Sequence, residues 1–126
     1  PTFFHAEDVI RDSFIGLVGS EMCIRDRGMA ACGEIGDNHG LFQPAHGSAP
    51  DIMGQDKANP LAAILSGALM LDYLAEKFGN EGYADAALLI EDAVQAGFEQ
   101  NRLRPMEFGG NMGTKAVTGE ILSIIT

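Results

Sequence analysis

Three stretches of the chain carry apolar residues at every third or fourth position, which is the spacing of one face of an α-helix. They cover residues 60 to about 78, residues 83–98, and the residues that follow Thr114. Asn59 is a good N-cap for the first stretch, and Pro60 suits the first helical position because its missing N–H costs nothing there. This pattern predicts three helices in the second half of the chain, the third of them capped by Thr114.

The same spacing predicts which side of each helix is buried. The first helix has a wide apolar face and small residues between the large ones, so we expect it to be buried on most sides. The second helix should keep a polar side in water, formed by Asp85, Glu91, Asp92 and Gln95. The third helix should bury an apolar stripe formed by Val117, Ile121, Leu122 and Ile125.

Short extended segments separated by turns precede the helices. Residues 28–32 and 41–44 lack helical spacing, and residues 36–40 between them have the Gly, Asp and Asn of a tight turn. A loop that contains Gly and Pro, residues 46–54, then leads to the first helix. Residues 28–126 are therefore predicted to be one α/β unit, with short strands and a loop followed by three helices.

The composition disfavours several classes of partner. The 126 residues include 8 basic and 18 acidic side chains and carry a formal charge of -10, so the chain offers no positive field to nucleic acid or to an anionic membrane. The longest apolar run, residues 61–71, is too short to cross a bilayer. The two cysteines have neither a disulfide framework nor a metal spacing, which fits a reducing compartment, and we expect a cytoplasmic protein.

The first 27 residues differ from the rest of the chain. Residues 17–27 resemble the translation of a transposon adapter used in preparing DNA sequencing libraries. Residues 20–27 also have neither helical nor strand periodicity. We therefore predict that residues 1–27 are an artefactual segment and that only residues 28–126 form the natural unit.

The loop and the residue that caps the first helix combine side chains suited to the adenosine half of a dinucleotide. His46 could lie against the adenine, Asp51 could accept hydrogen bonds from both ribose hydroxyls, and Asn59 could meet the adenine edge. Gly47, Ala49 and Gly54 keep bulky side chains away. Because a carboxylate at the ribose would repel a 2′-phosphate, the loop predicts NAD rather than NADP.

Taken singly, each of these residues has a simpler interpretation. A lone histidine beside glycine is usually a surface or turn residue, Asp51 after Pro50 could be a turn aspartate, and Asn59 could be only a helix cap. The chain also lacks the Gly-x-Gly-x-x-Gly fingerprint after a strand, so an ordinary Rossmann site is not predicted. The hypothesis of a cofactor loop rests on the residues occurring together.

These residues belong to a longer set that resembles one family. The set consists of Gly40-Leu41-Phe42 with Pro44, residues 46–52, Ala58-Asn59-Pro60, Ile64-Leu65-Ser66, and Phe108-Gly109-Gly110 with Thr114. In order and spacing it resembles the C-terminal part of the isocitrate and isopropylmalate dehydrogenases, a family that also includes tartrate and malate decarboxylating enzymes. The resemblance covers residues 28–126 and implies a C-terminal fragment of an isopropylmalate-dehydrogenase-like fold.

The resemblance also implies an activity and a cofactor site. Such an enzyme oxidises and decarboxylates a 2-hydroxy diacid such as 3-isopropylmalate, with NAD and with Mg²⁺ or Mn²⁺, and the intact protein would be a homodimer. The residues implied to contact the adenosine half of NAD are His46, Gly47, Ser48, Ala49, Pro50, Asp51, Ile52 and Asn59. The family's catalytic and metal-binding residues lie upstream of residue 28, so we expect none in residues 28–126 and no activity from this chain alone. Asp8 and Asp12 have the four-residue spacing of the family's paired metal aspartates, but the residues around them differ from the family's.

Two features leave the substrate open. Gln55-Asp56-Lys57 resembles the isocitrate branch, whereas Ser48 and Asp51-Ile52 resemble the isopropylmalate branch. Gln43 also stands where the family usually has glutamate. Isocitrate, tartrate or malate is therefore an alternative substrate, and a catalytically silent nucleotide-binding remnant is an alternative function.

Overall fold

The computed structural model describes residues 29–126, so the predictions made for residues 1–27 fall outside the described part of the chain. The described chain forms two strands, two short 3-10 turns and three helices. In chain order these elements are β1 (Ala31–Ile35), β2 (Gly40–Pro44), the 3-10 turn Pro50–Ile52, α1 (Leu61–Phe78), α2 (Glu81–Glu99), the 3-10 turn Met106–Phe108 and α3 (Thr114–Ile125). The predicted α/β architecture of short strands and a loop followed by three helices is confirmed.

The two strands form an antiparallel hairpin that lies against α1. Ala31 pairs with Pro44 at one end of the hairpin and Ile35 with Gly40 at the other. The turn between them closes where the Gly36 N–H donates to the His39 carbonyl oxygen at 2.8 Å. The hairpin contacts α1 through the rings of Phe42 and Tyr73, whose centroids are 5.4 Å apart. This packing holds β2 against α1, and the loop follows directly after β2 ends at Pro44.

Local signals in the sequence set both ends of α1. The Asn59 side-chain oxygen accepts a hydrogen bond from the Leu61 N–H at 3.1 Å, and Pro60 already has helical backbone angles. At the other end Gly79 adopts φ 62°, a left-handed conformation that costs glycine little and terminates the helix. The predicted end near Phe78 is confirmed, and the Asn59 side chain binds the first turn as predicted, but the helix begins at Leu61, one residue after the predicted start at Pro60.

Burial of α1 is confined mainly to its first half, which corrects the prediction that most of its sides are buried. Leu61, Leu65 and Ala68 are buried, and the buried Ser66 hydroxyl donates to the Ala62 carbonyl oxygen at 2.7 Å. In the second half, Met70 is 41% exposed. The difference arises because only the first half of α1 lies among the residues that form the core.

The core lies where the three helices and β1 meet. Its buried members come from all of these elements and from the segment after α2; they are Ala31, Leu61, Leu65, Ala93, Val94, Leu103, Val117 and Ile121. Gly97 on α2 allows a close approach there, since a Cβ at this position would lie 2.5 Å from the Leu103 Cδ1 atom. None of the helices described in residues 29–126 combines the length and apolar character needed to span a membrane.

Helix α3 buries a narrower stripe than the sequence predicts. Val117 and Ile121 are buried, but Leu122 is 57% exposed, so its predicted place in the stripe is wrong. At 100° per residue, Leu122 lies roughly 140° around the helix from Val117, whereas Ile124 and Ile125 lie nearer to the same side. These two residues are partly buried and pack against the core.

Candidate functional site

The predicted cofactor loop, residues 46–59, leaves β2 and contains a tight turn of its own. Ala49 has φ 42°, an uncommon left-handed conformation for alanine. This conformation leads into the 3-10 turn, in which the Ile52 N–H donates to the Ala49 carbonyl oxygen and the Met53 N–H donates to the Pro50 carbonyl oxygen, both at 3.2 Å. The 3-10 turn Pro50–Ile52 therefore lies at the surface, with Pro50 and Asp51 exposed.

The predicted contact residues lie in this 3-10 turn, in the four residues before it, and at Asn59 before α1. Those that are exposed are His46, Gly47, Ser48, Ala49, Pro50 and Asp51, whereas Ile52 and Asn59 are half-buried. The His46 ring Nδ1 lies 2.8 Å from the Gly47 carbonyl oxygen, a contact that holds the imidazole beside its own backbone. Among the described residues the Asp51 carboxylate has no hydrogen-bond partner, and no hydrogen bond joins it to His46.

The Asn59 amide already has partners within the chain. Its oxygen caps α1, and its nitrogen Nδ2 donates to Glu107 Oε2 at 2.8 Å. The same nitrogen lies 3.8 Å from the sulfur of Met29, which is a weak acceptor. Asn59 is therefore both the predicted helix cap and the residue that joins the loop to the 3-10 turn Met106–Phe108.

A second connection joins the loop to the start of α3. The Lys115 N–H donates to Asp56 Oδ1 at 3.0 Å, and the Thr114 N–H donates to the Asp56 carbonyl oxygen at 3.3 Å. The Thr114 hydroxyl donates to the Ala58 carbonyl oxygen at 2.5 Å. The prediction that Thr114 caps α3 is wrong, because Thr114 is the first helical residue and Gly113 is the N-cap residue; the Asp56 carboxylate accepts from the Lys115 N–H in place of a capping side chain.

Sequence reasoning missed Asp56 and Glu107 as parts of this site. Their partners Lys115 and Asn59 lie 59 and 48 residues away along the chain, so no local spacing signals either contact. A weak signal was present in Gly113, because a Cβ there would overlap the Asp56 carbonyl oxygen. A glycine immediately before a helix can mark such a close approach of another backbone.

The comparison with protein families decides what kind of chain carries this loop. The family model described as isocitrate/isopropylmalate dehydrogenase matches residues 7–125. The chain belongs to the isocitrate/isopropylmalate dehydrogenase family. This confirms the predicted resemblance. The match begins within the first 27 residues, and the predicted division at residue 28 stays a prediction.

Relatives within this dehydrogenase family carry several substrate names. The chain is 42% identical over 118 residues to an isocitrate/homoisocitrate dehydrogenase of Thermus thermophilus, covering 94% of this chain and 31% of that protein. It is 40% identical over 114 residues to a 3-isopropylmalate/3-methylmalate dehydrogenase of Methanocaldococcus jannaschii, covering 90% of this chain and 30% of that protein. The chain thus spans about a third of the length of these relatives.

A solved structure of the same family supports the fold. The crystal structure of a beta-decarboxylating dehydrogenase from Thermococcus kodakarensis matches with a TM-score of 0.68 and 38% identity, over 81% of this chain and 28% of that chain. The arrangement of the hairpin, the loop and the three helices is therefore that of a part of an isocitrate/isopropylmalate dehydrogenase fold.

A depression in the described part of this dehydrogenase-family chain lies away from the loop. This shallow depression between the hairpin and α1 is lined partly by Phe42, Asp72 and Tyr73, and it contains none of the predicted contact residues. Within residues 29–126, no three His, Cys, Asp or Glu side chains are grouped as metal ligands would be.

Glu91 on α2 has a raised pKa, although the sequence placed it on the wet side of the helix. Burial of the carboxylate is the largest cause, and the negative charges of Asp72 and Asp92 add to it. Each of these effects disfavours the charged form of Glu91 in the folded chain. The prediction that this side of α2 is fully in water is therefore wrong at Glu91, which is half-buried.

We expect the substitution Glu91→Gln to raise the free energy of unfolding at pH 7 by less than about 1 kcal/mol, since the group is partly solvated. A raised folded-state pKa means that the native state binds more protons than the unfolded state, so stability falls as pH rises from the ordinary value of 4.5 through the raised value. Urea unfolding of both proteins across this window would show a smaller fall for the variant. Asp85→Asn, at an exposed position of the same helix, is the control; an identical fall in wild type and Glu91→Gln would contradict the prediction.

Proposed function

We propose that this chain is a fragment of an NAD-dependent decarboxylating dehydrogenase and that its 46–59 loop binds the adenosine half of NAD. The observation that carries the proposal is the exposed Asp51 carboxylate, which has no hydrogen-bond partner among residues 29–126. It stands on the 3-10 turn of a loop whose second half is hydrogen-bonded to two other parts of the chain. A carboxylate at such a position can accept hydrogen bonds from both hydroxyls of an unphosphorylated ribose.

The other predicted contact residues fit adenosine in chemical type. The exposed His46 imidazole offers a flat surface to the adenine ring, and Gly47 and Ala49 leave space beside it. Ser48, Pro50 and Ile52 complete the wall of the proposed subsite. Asn59 can keep its bonds to Leu61 and Glu107 and donate its second Nδ2 hydrogen to an adenine nitrogen that takes the place of the Met29 sulfur, a weak acceptor.

The proposed reaction belongs to the whole enzyme rather than to this chain alone. The loop residues would hold the adenosine half of NAD, which when bound would supply the hydride acceptor for oxidation at the 2-hydroxyl carbon of the substrate. The residues described here bind and orient the adenosine end of the cofactor. The Mg²⁺ or Mn²⁺ of the proposed enzyme would be held by residues outside 29–126.

The proposed substrate is a 2-hydroxy diacid of the 3-isopropylmalate type. The relatives are named for isocitrate, homoisocitrate and 3-isopropylmalate, which share a 2-hydroxy acid with a second carboxyl group on the neighbouring carbon; the first two carry a third carboxyl group. We further propose a cytoplasmic homodimer for the intact enzyme. The formal charge of -10 supports an enzyme that acts on a small molecule rather than one that binds nucleic acid.

A chimeric enzyme tests the proposed function. In this chimera, residues 29–126 replace the matching segment of the Thermus thermophilus relative, which supplies the upstream part of the fold. We expect NAD-dependent turnover with Mg²⁺ and one or more of isocitrate, homoisocitrate and 3-isopropylmalate. The unmodified relative is the control for the assay. A folded chimera that neither binds nor reduces NAD, beside an active control, would overturn the proposal.

A further inference from the structure

The second half of the 46–59 loop is fastened to two segments that are distant in sequence. Asp56 accepts hydrogen bonds from the Thr114 and Lys115 N–H groups through its backbone and side-chain oxygens respectively. Two residues later, the Ala58 carbonyl oxygen accepts from the Thr114 hydroxyl. Asn59 then donates to Glu107. Asp56, Ala58 and Asn59 therefore each join the loop to the segment 107–115 by a hydrogen bond.

The attachment at Asp56 depends on an uncommon backbone conformation and on a glycine at the point of contact. Asp56 has φ 54°, a left-handed conformation that side-chain-bearing residues adopt rarely, though aspartate more readily than most. Its carboxylate lies at the N-terminus of α3, where unpaired N–H groups and the helix dipole favour a negative charge. Gly113 is required at the point of contact because a Cβ there would overlap the Asp56 carbonyl oxygen.

Hydrogen bonds carry the constraint from Asp56 back to Asp51. Gln55, the neighbour of Asp56, donates its backbone N–H to the Ile52 carbonyl oxygen at 3.1 Å. Its side-chain Nε2 also donates to the Asp51 carbonyl oxygen at 2.8 Å. Asp56 is therefore connected to the turn that carries the Asp51 carboxylate through a single intervening residue, Gln55.

We propose that Asp56 is a positioning residue for the cofactor, which it does not itself touch. By capping α3 from the loop, it locks the 3-10 turn Pro50–Ile52 in the geometry that receives the adenosine ribose. The inference rests on the proposed function of the loop and adds the element that shapes it. A cap bond present in the folded chain lowers the entropy that the loop would otherwise lose on binding.

The test compares Asp56→Ala and Asp56→Asn with wild type and with Asp85→Ala, which removes an exposed carboxylate on α2. NAD is titrated into the 126-residue chain, and the amide signals of the loop are followed by NMR. We expect Asp56→Ala to raise the dissociation constant about tenfold, the size of effect associated with losing a good cap. Asp56→Asn keeps a side-chain oxygen that accepts from Lys115, and it should remain within about threefold of wild type.

Amide hydrogen exchange separates positioning of the loop from simple capping of α3. In Asp56→Ala we expect faster exchange at Lys115 and also at Ile52, Met53 and Gln55, whose N–H groups form the turn. A residue that only capped the helix would alter Lys115 and leave the three turn amides unchanged, and that result would overturn the inference.

The titration also distinguishes this inference from the proposed function. If wild type binds NAD at the loop and Asp56→Ala binds it equally well, the positioning role fails and the proposed function stands. If wild type shows no loop response to NAD, both fail. Weaker binding by Asp56→Ala, with recovery in Asp56→Asn and no change in Asp85→Ala, supports both.

Discussion

Replacing Asp51 with lysine is expected to shift the coenzyme preference of the chimera from NAD toward NADP by roughly 10- to 100-fold. The change removes the acceptor for the ribose hydroxyls, and hydrogen bonds to charged groups contribute about 1.5–3 kcal/mol, which corresponds to that range. It also replaces a charge that repels a 2′-phosphate with one that attracts it. The measurement is kcat/KM for NAD and for NADP at fixed substrate and Mg²⁺.

The control for this substitution is Asp85→Lys, which makes the same change of charge on the exposed face of α2. It should leave the ratio of the two kcat/KM values unaltered. A preference for NAD that survives Asp51→Lys would show that the Asp51 carboxylate does not face the ribose. The assignment of the loop to adenosine would then have to be abandoned.

Replacing Ile121 with alanine is expected to destabilise the chain by about 2–5 kcal/mol, the usual cost of truncating a buried aliphatic side chain. Ile121 is 3% exposed and belongs to the core formed by the three helices and β1. The substitution leaves a cavity between α3 and the other helices. Because small domains are marginally stable, such a loss would unfold a large fraction of the molecules.

The adjacent residue provides a matched control for the core. Leu122→Ala removes the same number of carbon atoms from the next position of α3, but Leu122 is 57% exposed. We expect a change within about 0.5 kcal/mol, which is typical of surface substitutions. Urea denaturation followed by circular dichroism gives both values. Equal losses in the two variants would contradict the described burial of α3.

Elements governed by neighbouring residues could be predicted from the sequence. Asn59, Pro60 and Gly79 act on the backbone within a few residues of themselves, and α1 begins within one residue of the predicted start and ends at the predicted residue. The tight turn before β2 is likewise a local feature. The family could also be recognised, because the spacing of the loop motif is a property of the chain and needs no coordinates.

Contacts between distant segments required the folded structure. The stripe of α3 was predicted one residue too wide at Leu122, since periodicity identifies an apolar face but not the angle at which neighbouring helices pack on it. The sequence predicts Thr114 as the cap of α3 because it shows only nearby candidates, whereas the fold brings the Asp56 carboxylate to the Lys115 N–H at this end of the helix.

The proposed cofactor site has the same two origins. Local chemistry in the sequence determines that an imidazole, a carboxylate and an amide occur within one loop, and a carboxylate disfavours a 2′-phosphate wherever it is placed beside a ribose. Only the tertiary structure decides how the loop is held, because Asp56 and Glu107 meet partners 59 and 48 residues away. Residues so far apart in the chain show no regular spacing in the sequence that would predict their contact. These hydrogen bonds form only when the helices pack and bring the segments together.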